Sequence, residues 1–454
     1  MRRVRAGRAR RRTSRSAAPA KAPKPAITKV NAATGPTTGG TVVTIRGKNF
    51  TRVKKVTFNG VRGTRVKVLG KQRLTVVTPP GEAGRVLVRV HTRAGVSKQN
   101  GKARFTYQRH QPVAQGSNHT CRITNLRVRC VGWNIVGQLG DGTFDNRSGL
   151  TPVPGLAGVV ALSSMSLHTC ALRRSGQVLC WGQNPHGQLG TGDTATSASP
   201  VVVSGLRNAV AVSVGWQHTC AIRADRTLWC WGYNNSGVLG DGTTTDRYTA
   251  KRITAAGKVV DVDTGFATTC VRRADRTVRC WGENDFGQLG NGTLTPSLTP
   301  VAPSGLGKVT ALSVGYSHTC AVTGGRARCW GKNDRGELGV GDTVLRKRPA
   351  TVAALTGVTA ITGDGNVTCA IAHRSGFCWG EAWQGRVGDG AEPGASPRFT
   401  TGAIIGAGAI GHLSSGVNHA CYVRKAATRC WGVNTYGQLG DGTFDNSSVP
   451  LPLG

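Results

Sequence analysis

The residues best able to do chemistry recur in a fixed order. His-Thr-Cys stands at 168–170, 218–220 and 318–320, and a second Cys follows the first after nine or ten residues. A His beside a Cys suggests an activated thiolate, several His and Cys together suggest a metal site, and regularly paired Cys suggest disulfides. The first cysteines are Cys121, Cys170, Cys220, Cys270, Cys320, Cys369 and Cys421, which puts successive sets 49 to 52 residues apart. Their partners are Cys130, Cys180, Cys230, Cys280, Cys329, Cys378 and Cys430, so all 14 cysteines are used. A constant period near 50 residues marks a repeat architecture.

Spacing narrows the chemistry. Zinc wants Cys pairs two to four residues apart with four convergent ligands, and these pairs fall on separate copies, so no metal and no cofactor is expected. His119, His168, His218, His318 and His419 share one repeat position. Held apart around a ring they read as scaffold, each bonding within its own copy. No phosphate-binding loop, nucleophile elbow or metalloprotease motif is present, and no catalytic residue is assigned. The protein reads as a non-enzyme.

Four strands, a to d, carry each copy. Strand a is the Val-rich run before the motif (159–163, 210–214, 309–314), b is HTCAL, c is QVLCWG, and d is a run such as 201–203. Four-stranded units repeated radially make a β-propeller, and seven copies imply seven blades. The b–c turn aligns the cysteines. Gly324-Gly325 forms a two-residue hairpin turn, and Arg174-Ser175-Gly176 a three-residue loop with Gly at the left-handed position. Both place the two cysteines opposite each other, within disulfide reach. Seven cross-strand disulfides are expected, with reduced buried thiols as the alternative. The Trp after the second Cys faces the neighbouring blade and reads as core. Copy one has Val131 in its place, and copy six has Val367 for His and Arg386-Val387 for Gln-Leu, so these blades should be the least regular.

Composition agrees with an all-β chain: 65 of 454 residues are Gly and only 6% are aromatic. The net charge of +38 is uneven, because residues 1–108 hold 27 basic residues against one acidic. Residues 1–24 read as a disordered basic tail, either a polyanion-binding arm or a solvated one. Residues 25–107 alternate like strands (TVVTIRG, KKVTFNG, RLTVVTP, RVLVRVHT) between Gly/Pro/Asn turns and suggest a small sandwich. Residues 108–112 form a short linker, and 113–454 hold the repeats. No apolar run is long enough to span a membrane. The N-terminus as written lacks a leader's apolar region, whereas paired cysteines favour an oxidising compartment. An extracellular or cell-surface location reconciles them if secretion takes another route or a leader is omitted. The alternative is cytoplasmic.

Two resemblances follow. Residues 25–107 resemble the IPT/TIG immunoglobulin-like domains through Gly35-Pro36, Gly39-Gly40-Thr41, Phe58-Asn59-Gly60, Thr78-Pro79-Pro80-Gly81 and Phe105-Thr106-Tyr107. This implies a non-catalytic binding or spacer module. The copies resemble the regulator of chromosome condensation repeats through His-Thr-Cys, Cys-Trp-Gly and the Gly-Gln-Leu-Gly at 137–140, 187–190, 287–290 and 437–440. That resemblance implies seven blades and, for eukaryotic members, nucleotide exchange on a small GTPase with chromatin or DNA binding.

Strand alternation sorts the loops. The a–b and c–d loops share one face, with Trp216, Phe266, Tyr316, Tyr233, Phe286, Trp383, Tyr436 and Arg335 as candidate partner-binding residues. Aromatic filling between blades is the competing reading. The b–c and d–a turns share the other face, where Arg173, Arg174, Arg223, Arg272, Arg273 and Arg424 suggest a polyanion-binding ring. The expectation is a monomeric, secreted or surface-associated binding scaffold that recognises a protein or glycan through the aromatic face. An acidic polymer or nucleic acid is the possible partner of the basic surfaces. The alternatives are a GTPase exchange factor and a DNA-binding protein acting through the tail.

Overall fold

A computed structural model describes residues 22–391, 396–425 and 427–454. The basic tail expected over 1–24 lies almost wholly outside them. The described residues are strands and turns, with only two short 3-10 turns, Thr254–Ala256 and Trp383–Gly385. No helix among them is long and apolar enough to cross a membrane.

The N-terminal segment folds into two sheets. One takes the order Ala26–Asn31, Val42–Lys48, Arg73–Val77, Thr64–Val68. The other runs Thr34–Pro36, Arg104–Gln108, Gly84–Thr92, Val53–Phe58, Val61–Arg62, with Gly95–Val96 beside Gly84–Thr92. Burial alternates along Val42–Lys48, so Val43 and Ile45 enter the core while Val42 and Arg46 face out. Phe50, Phe58, Leu74, Phe105 and Tyr107 are fully buried, and the Tyr107 hydroxyl donates to the Pro79 carbonyl at 2.7 Å. Compact packing divides the chain in two. Of the described residues, one unit holds 22–32, Val42–Thr78 and Leu87–Arg104, and the other holds Ala33–Thr41, Pro79–Val86 and those from Phe105 onward.

From Val113 onward seven four-stranded antiparallel sheets follow, each built from four consecutive strands in sequence order. Blade one is Val113–Gln115, His119–Thr124, Arg127–Gly132 and Arg147–Ala157; blade seven is His412–Ser415, His419–Arg424, Ala427–Gly432 and Ser447–Pro452. No strand is exchanged at closure. Blade seven meets blade one through side chains, with Thr120 Oγ1 donating to the Gln438 carbonyl at 2.7 Å and Asn418 Nδ2 to Asn118 Oδ1 at 2.9 Å.

The b and c strands pair with every first Cys opposite its second, from Cys121 against Cys130 to Cys421 against Cys430. All fourteen sulfurs are joined in seven disulfides with Cα atoms 4.1 Å apart. The turns obey their backbone needs: Gly324 and Gly325 sit at φ 58° and 73°, and Gly176 at 85°. Trp181, Trp231, Trp281, Trp330, Trp379 and Trp431 are fully buried. Each indole N–H donates to a carbonyl of the preceding blade, as Trp231 does to Gln188 at 2.9 Å. The neighbour must be glycine there, because a Cβ on Gly190 would lie 2.7 Å from the Trp231 nitrogen.

Candidate interaction surfaces of the propeller

The repeated histidines have a structural job, but the partner differs from the sequence expectation. Each bonds the next blade rather than its own. His119, His168, His218 and His318 place Nε2 at 2.7–2.9 Å from the hydroxyls of Thr169, Thr219, Thr269 and Thr368, and His419 reaches Thr120 across the closure at 2.6 Å. Each hydroxyl already donates to a backbone carbonyl, as Thr219 does to Gln188 at 3.0 Å, so the imidazole nitrogen must supply the hydrogen. Burial pushes these five imidazoles down to about 3. They are neutral struts. Copy six has Val367, and the blade after it has Ala420 where the hydroxyl would stand, so both partners are replaced together.

The inner strands surround a small polar channel of about 60 Å³. Its hydroxyls and one carboxylate serve the neighbouring blade: Val214 N–H donates to Ser163 Oγ at 3.0 Å, Val314 N–H to Asp263 Oδ2 at 2.9 Å, and Gly363 N–H to Ser313 Oγ at 2.8 Å. Burial raises Asp263 to about 6 and also raises Asp364. Residues 109–111 lie across the d–a ends of these strands. Arg109 pairs with Asp261 at 3.1 Å and donates to the Val262 carbonyl, while His110 Nδ1 lies 3.0 Å from the Val160 carbonyl. Among the described residues no His, Cys, Asp and Glu group is placed to hold a metal ion.

At the a–b end the channel mouth carries the first three candidate residues, and the structure brings them together. Trp216, Phe266 and Tyr316 form a continuous stack across blades three to five, with centroids 4.2 Å apart at both steps and planes within 25° and 27°. The stack stops at blade six, which has Gly365 at the equivalent position, and Tyr316 remains 36% exposed. The two faces of Phe266 are covered, so the ladder shows edges and its terminal rings rather than an open platform.

The other candidates on this face are spread around the ring. Tyr233 meets His186 edge-on at 4.8 Å, Tyr436 stacks on Trp133 at 5.4 Å, and Phe286 lies 6.0 Å from the Lys332 ammonium. All three pairs bridge adjacent blades, so these aromatics do fill between blades. Trp133, His186 and Lys332 were missed in the sequence. The signal was the residue after the Gly of Cys-X-Gly (Trp133, Tyr233, Lys332), which faces the loop residue before Gly-Gln-Leu-Gly one copy earlier. Trp383 stands open, 51% exposed, with the Arg386 guanidinium 5.6 Å from its ring. The Arg335 backbone N–H donates to the Glu337 carboxylate at 2.9 Å.

The basic ring of the opposite face is broken. Arg272 is buried and pairs with Glu82 at 2.8 Å and Asp261 at 3.7 Å, both in the same compact unit, so it offers no charge to a polyanion. Arg173 donates to Gln177 and the Gly155 carbonyl, and Arg273 to the Ala255 and Ala256 carbonyls, which fixes both side chains but leaves their charge. Arg223 lies over the Trp229 ring at 5.3 Å. Arg174 and Arg424 are exposed.

Comparison with known proteins fits this geometry. Family models for the regulator of chromosome condensation (RCC1) repeat match residues 175–222 and 277–322, and, in a second form, 159–188, 209–238, 259–288 and 309–337. The IPT/TIG domain model matches residues 25–107. The chain is similar to yeast RCC1 (Prp20) solved with Kap60, at 19% identity and TM-score 0.66, over 77% of this chain and 85% of that one. Prp20p of Saccharomyces cerevisiae, described with its binding to Gsp1p and histones, gives 19%, 0.64, 77% and 87%. Human WBSCR16 gives 19% and 0.51 over 80% of this chain and 87% of that one. No curated protein matches the sequence.

Proposed function

Taking a chain that carries RCC1 repeats behind an IPT/TIG domain as the premise, we propose that it is a non-enzymatic binding scaffold of an oxidising compartment, secreted or held at the cell surface. The seven disulfides support the compartment. The observation that carries the binding role is the aromatic ladder. Its position is the one the repeat leaves free, and three neighbouring blades fill it with rings at a channel mouth. Stacked rings that show edges and a phenol suit a protein partner better than a sugar, which would need an open ring face. Rigid aromatics of this kind anchor protein interfaces.

The test is binding of the purified chain to the surface of the cells that produce it. Trp216→Ala and Tyr316→Ala should each lower binding at least tenfold while the melting profile stays cooperative. Unchanged binding removes this face from consideration. The yeast neighbour's binding of Gsp1p makes nucleotide exchange the second reading, and at 19% identity the likeness speaks for the fold. Acceleration of nucleotide release from a small GTPase would establish that reading.

A further inference from the structure

The interface that closes the ring departs from the other six. On a regular blade the face turned to the preceding blade carries a small or apolar residue on strand b and Trp on strand c. In blade two these are Ala171 and Trp181, with Leu179 directly opposite Ala171, and all three are buried. In blade one the same positions hold Arg122, Val131 and Arg129. Arginine also precedes the second Cys in blades four, five and seven (Arg279, Arg328 and Arg429), so Arg122 and Val131 are what set this interface apart. With the indole gone, the Gln438 carbonyl receives only the Thr120 hydroxyl, and Gly440 faces Val131 and Leu453.

A cleft of about 710 Å³ opens there, lined by Arg122, Thr124, Arg129 and Leu150 of blade one and by Asp441 and Pro452 of blade seven. That volume lies in the range of sites for small organic ligands, roughly 300–1,000 Å³. Arg122 and Arg129 are directly opposed partners on neighbouring strands. Two like charges so placed repel and weaken a sheet. Arg122 donates to the Leu453 carbonyl at 3.0 Å, but its Nε is buried with no partner. Neither arginine has an ion pair among the described residues. Burial and the charge of Arg129 both pull the Arg122 pKa down. Across the cleft, Asp441 also lacks the usual cation. Asp141 and Asp241 pair with Arg147 and Arg247 at 2.8 and 2.7 Å, whereas blade seven has Ser447 at that position.

We propose that this cleft is a binding site for a small organic anion. The opposed guanidinium groups hold its carboxylate or phosphate oxygens, and Leu150 and Pro452 pack its apolar body. Two guanidinium forks suit such oxygens geometrically as well as electrostatically. Asp441 accepts a hydrogen bond from a ligand hydroxyl or amine. The site is separate from the aromatic ladder, so it does not depend on the role assigned to that face.

The test is calorimetric titration of the full chain with phenyl phosphate, 3-phenylpropionate, inorganic phosphate and benzyl alcohol. The two organic anions should bind saturably at one site and compete, with the tighter of them naming the head group. Inorganic phosphate should bind more weakly, and benzyl alcohol not at all. Arg122→Ala and Arg129→Leu import the residues of blade two and should each weaken binding at least tenfold. Trp216→Ala should leave it intact. Absence of saturable anion binding, equal binding of benzyl alcohol, or unchanged affinity in both arginine variants overturns the proposal.

Discussion

Two arcs of the ring depart from the common repeat in opposite ways. Across blades three to five the free position at the channel mouth is filled, and Trp216, Phe266 and Tyr316 stack into one ladder at 4.2 Å spacing. Across the closure between blades seven and one the smaller Val131 stands in place of Trp, and Arg122 stands in place of a small or apolar residue, opposite Arg129 at the cleft. The first departure adds contact between blades and the second removes it. Stability and recognition therefore come from different positions of the same fifty-residue unit. The Cys positions staple each blade, the Trp, Gly and His-Thr positions hold neighbours together, and the positions between them are free to vary.

The largest expected effect compares one position on the two arcs. Trp231→Ala removes a fully buried indole and its bond to the Gln188 carbonyl. It should cost about 3–5 kcal/mol by the usual scale for large aromatics. Val131→Ala removes two methyls from a smaller, fully buried side chain and should cost about 2 kcal/mol. Denaturant melts of both variants check the contrast. Equal costs would mean that the closure is as tightly packed as the regular interfaces.

The next contrast concerns the His-Thr struts. His218 and Thr269 are paired at 2.9 Å, and the junction of blades six and seven shows an apolar substitute in Val367 and Ala420. His218→Val alone should cost about 1–3 kcal/mol, because it leaves the buried Thr269 hydroxyl without its donor. His218→Val with Thr269→Ala should cost less than the two single changes summed. The same group sets a pH response. Its folded pKa of about 3 lies below the ordinary value of 6.5, so the unfolded chain binds more protons between those limits. The stability it contributes is complete above pH 6.5 and is lost as the pH falls toward 3. Removing His218 should make the acid limb of the melting-temperature profile shallower, while a variant at the ladder should leave its slope unchanged.

Much of the fold was legible because the repeat states it seven times over. Loop length alone set each cysteine opposite its partner. The sites were less legible, since their contacts join distant copies. The His-to-Thr link skips 50 or 51 residues, one whole period, and a reading confined to one copy assigns it to the wrong blade. Arg272 looked like a surface charge because Glu82, its partner, lies 190 residues earlier. The cleft exists only once residues near 122–129 and 148–150 meet those near 440–454. The ladder residues were named together, but their mutual stacking, which hides the faces of Phe266, depends on the spacing of the blades.

The smallest effect separates the closing arc from the regular one through backbone alone. The b–c turn of blade one places Asn125 and Leu126 at φ 52° and 62°, and that of blade five places Gly324 and Gly325 at 58° and 73°. The two turns have the same shape, but Leu pays the left-handed penalty of about 1–2 kcal/mol that Gly escapes. Leu126 is also exposed, so its side chain returns little by burial. Part of the gain from replacing it is offset by the added freedom of glycine in the unfolded chain, worth roughly 0.4–1 kcal/mol. Leu126→Gly should therefore raise stability by about 0.5–1 kcal/mol, and Gly325→Leu should lower it by a similar amount. Chemical denaturation of the two variants reads both signs. A loss on Leu126→Gly would show that this leucine makes a contact worth more than its strained backbone, and that blade one is better packed at its outer turn than at its closing face.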